Sequence, residues 1–313
     1  MTLPQDPSVI VQAGGTAAVP EVSSPIEVEA ISRGRLVIRR FRRRRTAVAG
    51  LISLVLLFAL AYLGPYLTQW SYDEIDFEAF QQAPSAAHWF GTTQTGKDLF
   101  ALTMRGMQKS LVIGLLAAAI GTGMAALFGA FGGYFGRWVD RLSTTLGDLM
   151  LVLPAFLIIA ILSPNFRGKS WLVFVVLLGA FQWMITARVV RGLTLSLRER
   201  EFVQAAGFMG VPRWRIVLRH ILPNMSSFLI IDYTIGVGAA ILAEVGLSFF
   251  GFGVQLPDVS MGTLIADGAP AALTYPWQFF FVAGLLVAIV LSVNAIGDGL
   301  RDALDPTSGA GRA

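Results

Sequence analysis

Six apolar runs, each long enough to cross a bilayer as a helix, leave this chain few ways to fold. They cover residues 46–63, 110–134, 146–162, 171–187, 226–247 and 277–296. One helical crossing of a ~30 Å hydrocarbon layer takes about 20 apolar residues, so little of the 313-residue chain remains for an independent soluble domain. The composition agrees, with 55% hydrophobic residues, 14% charged residues and a mean hydropathy of +0.65, outside the range of soluble domains. A self-contained cytosolic enzyme is thereby excluded. The absence of cysteine and the presence of only two histidines remove disulfide scaffolds, thiolate metal sites and cysteine nucleophiles, and leave little for metal binding or base chemistry.

The distribution of Lys and Arg orients the spans. Arg33, Arg35, Arg39, Arg40 and Arg42 to Arg45 precede the first run, and Arg188 to Arg219 hold seven more cations between the fourth and fifth. With both termini inside, nineteen Lys and Arg face the cytoplasm and five, Lys97, Arg105, Lys109, Arg167 and Lys169, face outward. A cleaved signal peptide is the competing reading of the first run, given Ala59-Leu60-Ala61 and Arg39-Arg40. The long preceding tail, the length of the run and the further spans argue against it. The expected organisation is a disordered cytoplasmic tail (1–31), a basic segment with the first span (32–70), an extracytoplasmic segment (71–109), a five-helix core (110–306) containing a cytoplasmic loop (188–224), and a short cytoplasmic tail (307–313). The fold class is an all-α polytopic membrane protein of the plasma (inner) membrane.

Within the second span Ala117, Gly121, Ala125, Gly129 and Gly133 recur every fourth residue and strip one helix face of bulk, which invites close approach of another helix. Pro154 removes a backbone hydrogen bond from the third span and is expected to kink it. Residues 91–97, Gly-Thr-Thr-Gln-Thr-Gly-Lys, satisfy the phosphate-loop pattern GxxxxGK. Asp98 stands where a hydroxyl should meet Mg²⁺, no apolar strand precedes Gly91, and the topology puts the segment outside, away from ATP. The plainer expectation is a turn leading into an interfacial helix over 97–109.

The 188–224 loop reads as two short helices, 201–209 and one starting near Pro212 and running to Ile221, with Gly210 as a left-handed cap between them. Gln204-Ala205-Ala206, Gly210 and then Leu222-Pro223 resemble the EAA motif of ABC importer membrane subunits. His88-Trp89-Phe90-Gly91-Thr92 with Gly96-Lys97-Asp98, Glu244 with Leu247-Ser248-Phe249 and the glycines 251 and 253, and Asn294, Gly297 to Asp302 and Leu304 to Pro306 extend the resemblance over residues 35–306. Together they look like the C-type permeases of dipeptide, oligopeptide and nickel ABC importers. That resemblance implies the type I importer fold, one N-terminal helix plus a five-helix core.

It further implies that the loop inserts into a cytoplasmic ATPase, with Glu201, Gln204, Ala205, Ala206, Gly210, Trp214, Ile216, His220, Leu222 and Pro223 as coupling residues. The alanines offer a thin face to a cleft, Trp214 and Ile216 apolar anchors, and the neighbouring arginines partners for acidic rims. Gln204 stands where the motif usually has glutamate and His220 where it has isoleucine, which removes an ion pair at position 204 but not the docking.

Asp148, Asp232 and Glu244 are carboxylates near or within spans, where charge is costly and faces protein or water. Asp232 and Glu244 are candidates for the translocation pathway, against a purely structural role; Asp148 is expected to be interfacial. The segment 249–276, with Phe249, Phe250, Phe252, Asp258 and Asp267, is expected at the outer mouth, touching a binding protein, or else packing on a companion permease or re-entering the bundle. The resemblance implies one of two membrane subunits of an ATP-driven peptide importer, partnered by a second permease, ABC ATPase subunits and an extracytoplasmic binding protein. It implies no catalysis, metal or cofactor in this chain, ATP and Mg being used by the ATPase. Dipeptide, longer-peptide and nickel systems share these motifs. The alternatives are an ion-coupled secondary transporter, which would call for internal repeats that the spans lack, and a membrane-embedded hydrolase, for which neither His88 nor His220 has an evident partner.

Overall fold

The computed structural model describes residues 33–163, 171–255 and 257–304. The two expected tails, Arg167, Lys169, Asp305 and Pro306 lie outside the described residues. The described chain is helical apart from turns and an irregular stretch before Leu99, where isolated antiparallel bridges join Ile75 to Lys97 and Thr92 to Asp98.

Helix α1 (Arg33–Arg43) is basic and amphipathic. Arg44 turns extended, with φ −88° and ψ 102°, and separates it from the apolar α2 (Arg45–Leu63). Helix α3 (Leu99–Phe135) runs for 37 residues, about 55 Å at 1.5 Å per residue, well beyond the ~30 Å of a hydrocarbon core. The helix expected over 97–109 begins two residues later, at Leu99, and runs into the span without a break, with Leu99, Met104, Met107 and Leu111 buried in it. Asp98 starts it by accepting the Ala101 amide at 2.7 Å, which closes the helix N-terminus with the chain's own carboxylate.

Helices α4 (Arg137–Val152) and α5 (Ala155–Leu162) form a pair bent by 78°. Pro154 lies at the break and pushes Leu153 into the extended region, φ −76° and ψ 126°. A second pair, α6 (Leu172–Ala180) and α7 (Trp183–Arg198), bends by 48° at Phe181 and Gln182. Three short helical pieces follow: α8 (Glu201–Phe208), α9 (Arg213–Ile216) continuing through a π-turn (Val217–Ile221), and α10 (Leu222–Asn224). Helix α11 (Ser226–Phe249), the short α12 (Met261–Gly268) and α13 (Trp277–Leu304) complete the chain. Among the described residues four helices are long and apolar enough to cross a membrane singly, and up to six spans result when each bent pair counts as one.

The small-residue face of α3 is the seam of the bundle. A β-carbon at Gly129 would lie 2.5 Å from the Ala187 carbonyl oxygen and 2.7 Å from Val190 Cβ, and one at Gly133 2.9 Å from the Arg191 carbonyl oxygen. Gly179 of α6 meets the same face, its β-carbon position 2.9 Å from the Ala117 carbonyl oxygen. Backbone-to-backbone approach of this kind is available only where side chains are missing. On the other side of α3, α2, α11, α12 and α13 enclose the largest buried cluster, including Leu57, Leu111, Ile241, Met261 and Ile289. The segment after α11 thus returns to the bundle through α12, the re-entrant alternative for this stretch.

Candidate functional site

The α8–α9 hairpin is built around Gly210, at φ +76°. The Gly210 amide donates to the Gly207 carbonyl at 3.0 Å and the Val211 amide to the Ala206 carbonyl at 3.1 Å, the paired bonds of a Schellman cap, which places its left-handed residue where glycine has no steric penalty. Pro212 then sets the N-cap of α9.

The hairpin has two unlike faces. Val203, Ala206, Ile216, Val217 and Ile221 are buried against Ala130 and Val190, with Phe131, Phe135 and Leu197 packed around them. Two expectations are corrected here: Ile216 at 1% exposure and Ala206 at 1% belong to the chain's own core and offer nothing to a partner. The other face carries Phe208 at 91% exposure and Met209 at 76%, with Trp214 and Phe202 also exposed. Glu201, Gln204, Ala205, Gly210 and Pro223 are exposed, and His220 and Leu222 half-buried. The sequence reading missed Phe208 and Met209. The available signal was their place directly before the Gly210 cap, which puts them at the tip of the hairpin. Arg215 lies over the Trp214 ring with its guanidinium carbon 5.3 Å from a ring centroid, which sets a cation against one face of the indole.

Asp148, expected to be interfacial, is exposed and pairs with Arg188 at 2.6 Å. Arg191 grips Asp140 through two nitrogens at 2.5 and 2.6 Å. Both pairs join α4 to α7. The second was not foreseen, because nothing in the spacing of the two residues predicts the fold-back.

Asp232 is half-buried and accepts the Thr122 hydroxyl at 2.7 Å and the Thr186 hydroxyl at 2.8 Å, tying α11 to α3 and α7. Glu244 is closed to solvent at 0% exposure. It accepts the hydroxyls of Ser110 at 3.1 Å, Ser248 at 2.6 Å and Ser260 at 2.6 Å. Ser260 is also the N-cap of α12, so one carboxylate joins α3, α11 and α12. In this conformation the Glu244 carboxylate is enclosed by its three serine hydroxyls and closed to solvent.

Phe249 and Phe250 are exposed, Phe252 is half-buried, and Gly251 takes φ +79°. Asp258 is half-buried and paired with Lys109 at 2.8 Å. Asp267 lines a cleft of about 580 Å³ together with Lys97, Gln94, Gln255 and Thr263. Burial in that wall raises its carboxyl above the ordinary value. His88, expected to lack a partner, has two: its ring is buried, 2.9 Å from Asp98 and 3.3 Å from Asp76, and stacks on Trp70. The neighbouring Ser85 hydroxyl accepts the His88 main-chain amide at 3.1 Å instead of meeting the ring, and the geometry of the ring is that of a brace between residues 70–90 and the start of α3.

Comparison with known proteins agrees with the geometry. Residues 101–308 match the family model described as binding-protein-dependent transport system inner membrane component, and residues 32–84 match the N-terminal TM domain of oligopeptide transport permease C. The chain is 55% identical to the oligopeptide transport system permease protein OppC of Mycobacterium tuberculosis, covering 90% of this chain and 97% of the relative. It is 40% identical to OppC of Escherichia coli, covering 91% and 94%. The dipeptide transport system permease protein DppC of Alkalihalophilus pseudofirmus is 36% identical, covering 92% and 95%.

Proposed function

This chain belongs to the family of binding-protein-dependent transport system inner membrane components, and on that footing we propose that it carries short peptides through an ATP-driven importer as one of two membrane subunits. It is a multi-pass inner-membrane permease and not an enzyme. The peptide reading rests on relatives named for oligopeptide and dipeptide transport. The proposed partners are a second permease, cytoplasmic ABC ATPase subunits that use ATP and Mg, and an extracytoplasmic binding protein that delivers substrate. Both termini and the α8–α9 hairpin lie in the cytoplasm in this reading, as the nineteen-to-five division of cations supports.

The observation that carries the proposal is the two-faced hairpin. Its inner face is fused to the ends of α3 and α7, so a displacement of the hairpin moves those helices with it. Its outer face presents Phe208, Met209 and Trp214, the apolar, adaptable residues that fill a partner's pocket. ATP-driven closure of the ATPase pair would push on this tip, and the α3–α7 seam would transmit the push to the spans. Asp232 and Glu244 act in this scheme as ties between moving helices, not as peptide contacts.

The test uses Gly210. A β-carbon there meets nothing within 4 Å, so the cost of Gly210→Val is backbone strain alone, about 1–2 kcal/mol, released by rotating the two short helices. Gly210→Val abolishes peptide uptake by the assembled importer while the protein stays in the membrane; Gly210→Asn, which tolerates the left-handed region, retains most of it. Normal assembly with the ATPase and normal uptake by the valine variant would show that the hairpin is not the coupling element.

A further inference from the structure

Helix α1 has a use that the transport scheme leaves unassigned. At 3.6 residues per turn, Arg35, Arg39, Arg42 and Arg43 fall within roughly 100° of arc, and all four are exposed. Val37 and Phe41 lie on the opposite face, and Ile38 on the flank next to Arg42. Phe41 is spent inside the protein, its ring 3.2 Å from the β-carbon position of Gly299 on α13. Ile38, beside Arg42 on the wheel, is 60% exposed, and Leu36, on the other flank beside Arg43, 38%. An apolar edge and a dense basic face thus lie side by side on a helix that is separated only by Arg44 from a membrane span.

We propose that α1 lies on the cytoplasmic leaflet as a receptor for anionic phosphate headgroups, with Ile38 entering the acyl boundary and the four arginines holding lipid phosphates. Guanidinium forks match phosphate oxygens in pairs, and a cluster of cations on the cytoplasmic side of a span draws anionic lipid. The seat is coupled to the bundle. Arg44 pairs with Asp302 at 2.8 Å, and Ala47 packs where a β-carbon on Gly299 would overlap it, so the position of α1 on the lipid sets that of the α2–α13 pair.

The proposal rests on the cytoplasmic placement of the N-terminus, and the experiment separates the two. The chain contains no cysteine, and a β-carbon at Gly34 meets nothing within 4 Å, so Gly34→Cys is a clean reporter. An impermeant maleimide labels it in inside-out vesicles only; labelling in right-side-out vesicles would remove the topology, and with it this proposal. Lipid preference is then read on the full chain in the assembled importer, as the association of spin-labelled phosphatidylglycerol relative to spin-labelled phosphatidylcholine. The natural chain prefers phosphatidylglycerol. The fourfold variant Arg35→Gln, Arg39→Gln, Arg42→Gln, Arg43→Gln loses that preference by at least about tenfold, as does the natural chain in 1 M salt. Free inorganic phosphate at millimolar concentration does not compete. An unchanged preference in the fourfold variant, or loss of the ATPase with the lipid preference intact, would overturn the proposal, the latter by making the basic face a protein contact.

Discussion

Glu244 sits in a chain chosen for lipid, and it is held there by three serine hydroxyls, from Ser110, Ser248 and Ser260. Each hydroxyl donates to the carboxylate and would be left without its acceptor if the side chain were cut back. A buried polar group left unsatisfied costs about 1–3 kcal/mol, and the three share one hub. Glu244→Ala should therefore lower the stability of the detergent-solubilised protein by about 3 kcal/mol or more, with proteolysis appearing first in residues 249–276 as α12 loses its N-cap anchor. Glu244→Gln keeps an acceptor oxygen and lets one hydroxyl turn to accept from the new amide, so its thermal midpoint should fall much less. Equal losses for the two variants would mean that the serines are satisfied elsewhere. Glu244 stood out in the sequence as an intramembrane carboxylate; Ser248 lies one helical turn further along α11, but that the other two partners are hydroxyls from separate segments was not legible, because serines 134 residues before it and 16 after it meet it only through the fold.

The α3 seam was legible at the scale of the element, since a small residue every fourth position has one efficient use in a bundle. Its partner was not, because α6 and α7 carry no complementary pattern beyond Gly179. Gly129→Leu places a side chain into the Ala187 and Val190 backbone-facing gap and should cost about 1–3 kcal/mol or more by overpacking. Gly123→Leu, on the same helix with nothing within 4 Å of its β-carbon position, should be neutral. Thermal unfolding of the two variants in one detergent checks the pair, and equal behaviour would dispose of the seam. The two bent spans divide in the same way. Pro154 announces the first, whereas the second, at Phe181 and Gln182, contains no proline and follows from keeping both halves on α3: the β-carbon position of Gly121 lies 3.0 Å from Gln182 Cβ.

For the molecule as a whole, nucleotide chemistry belongs to its partners in the proposed reading. Residues 91–97 resemble a phosphate loop, yet the N-terminus of the helix that follows is closed by Asp98, which also holds His88 at 2.9 Å, so the site that would take a phosphate is filled by a carboxylate. Lys97→Ala should leave ATP binding and hydrolysis by the assembled importer unchanged, and a photoreactive ATP analogue should label the ATPase chains alone; labelling within residues 91–98 would overturn both the assignment and the topology. By itself the sequence determined the membrane class, the number of spans, the resemblance to importer permeases and the place of the glycine-capped hairpin, because hydrophobic length, charge asymmetry and a left-handed glycine are properties of local chain. Only the tertiary structure decided which side of the hairpin is free, turning Ile216 and Ala206 inward and leaving Phe208 and Met209 at the tip. It alone paired Asp258 with Lys109 and His88 with Asp98. Such choices depend on which helix lies against which, and burial and ion pairing are fixed by neighbours that local sequence does not name.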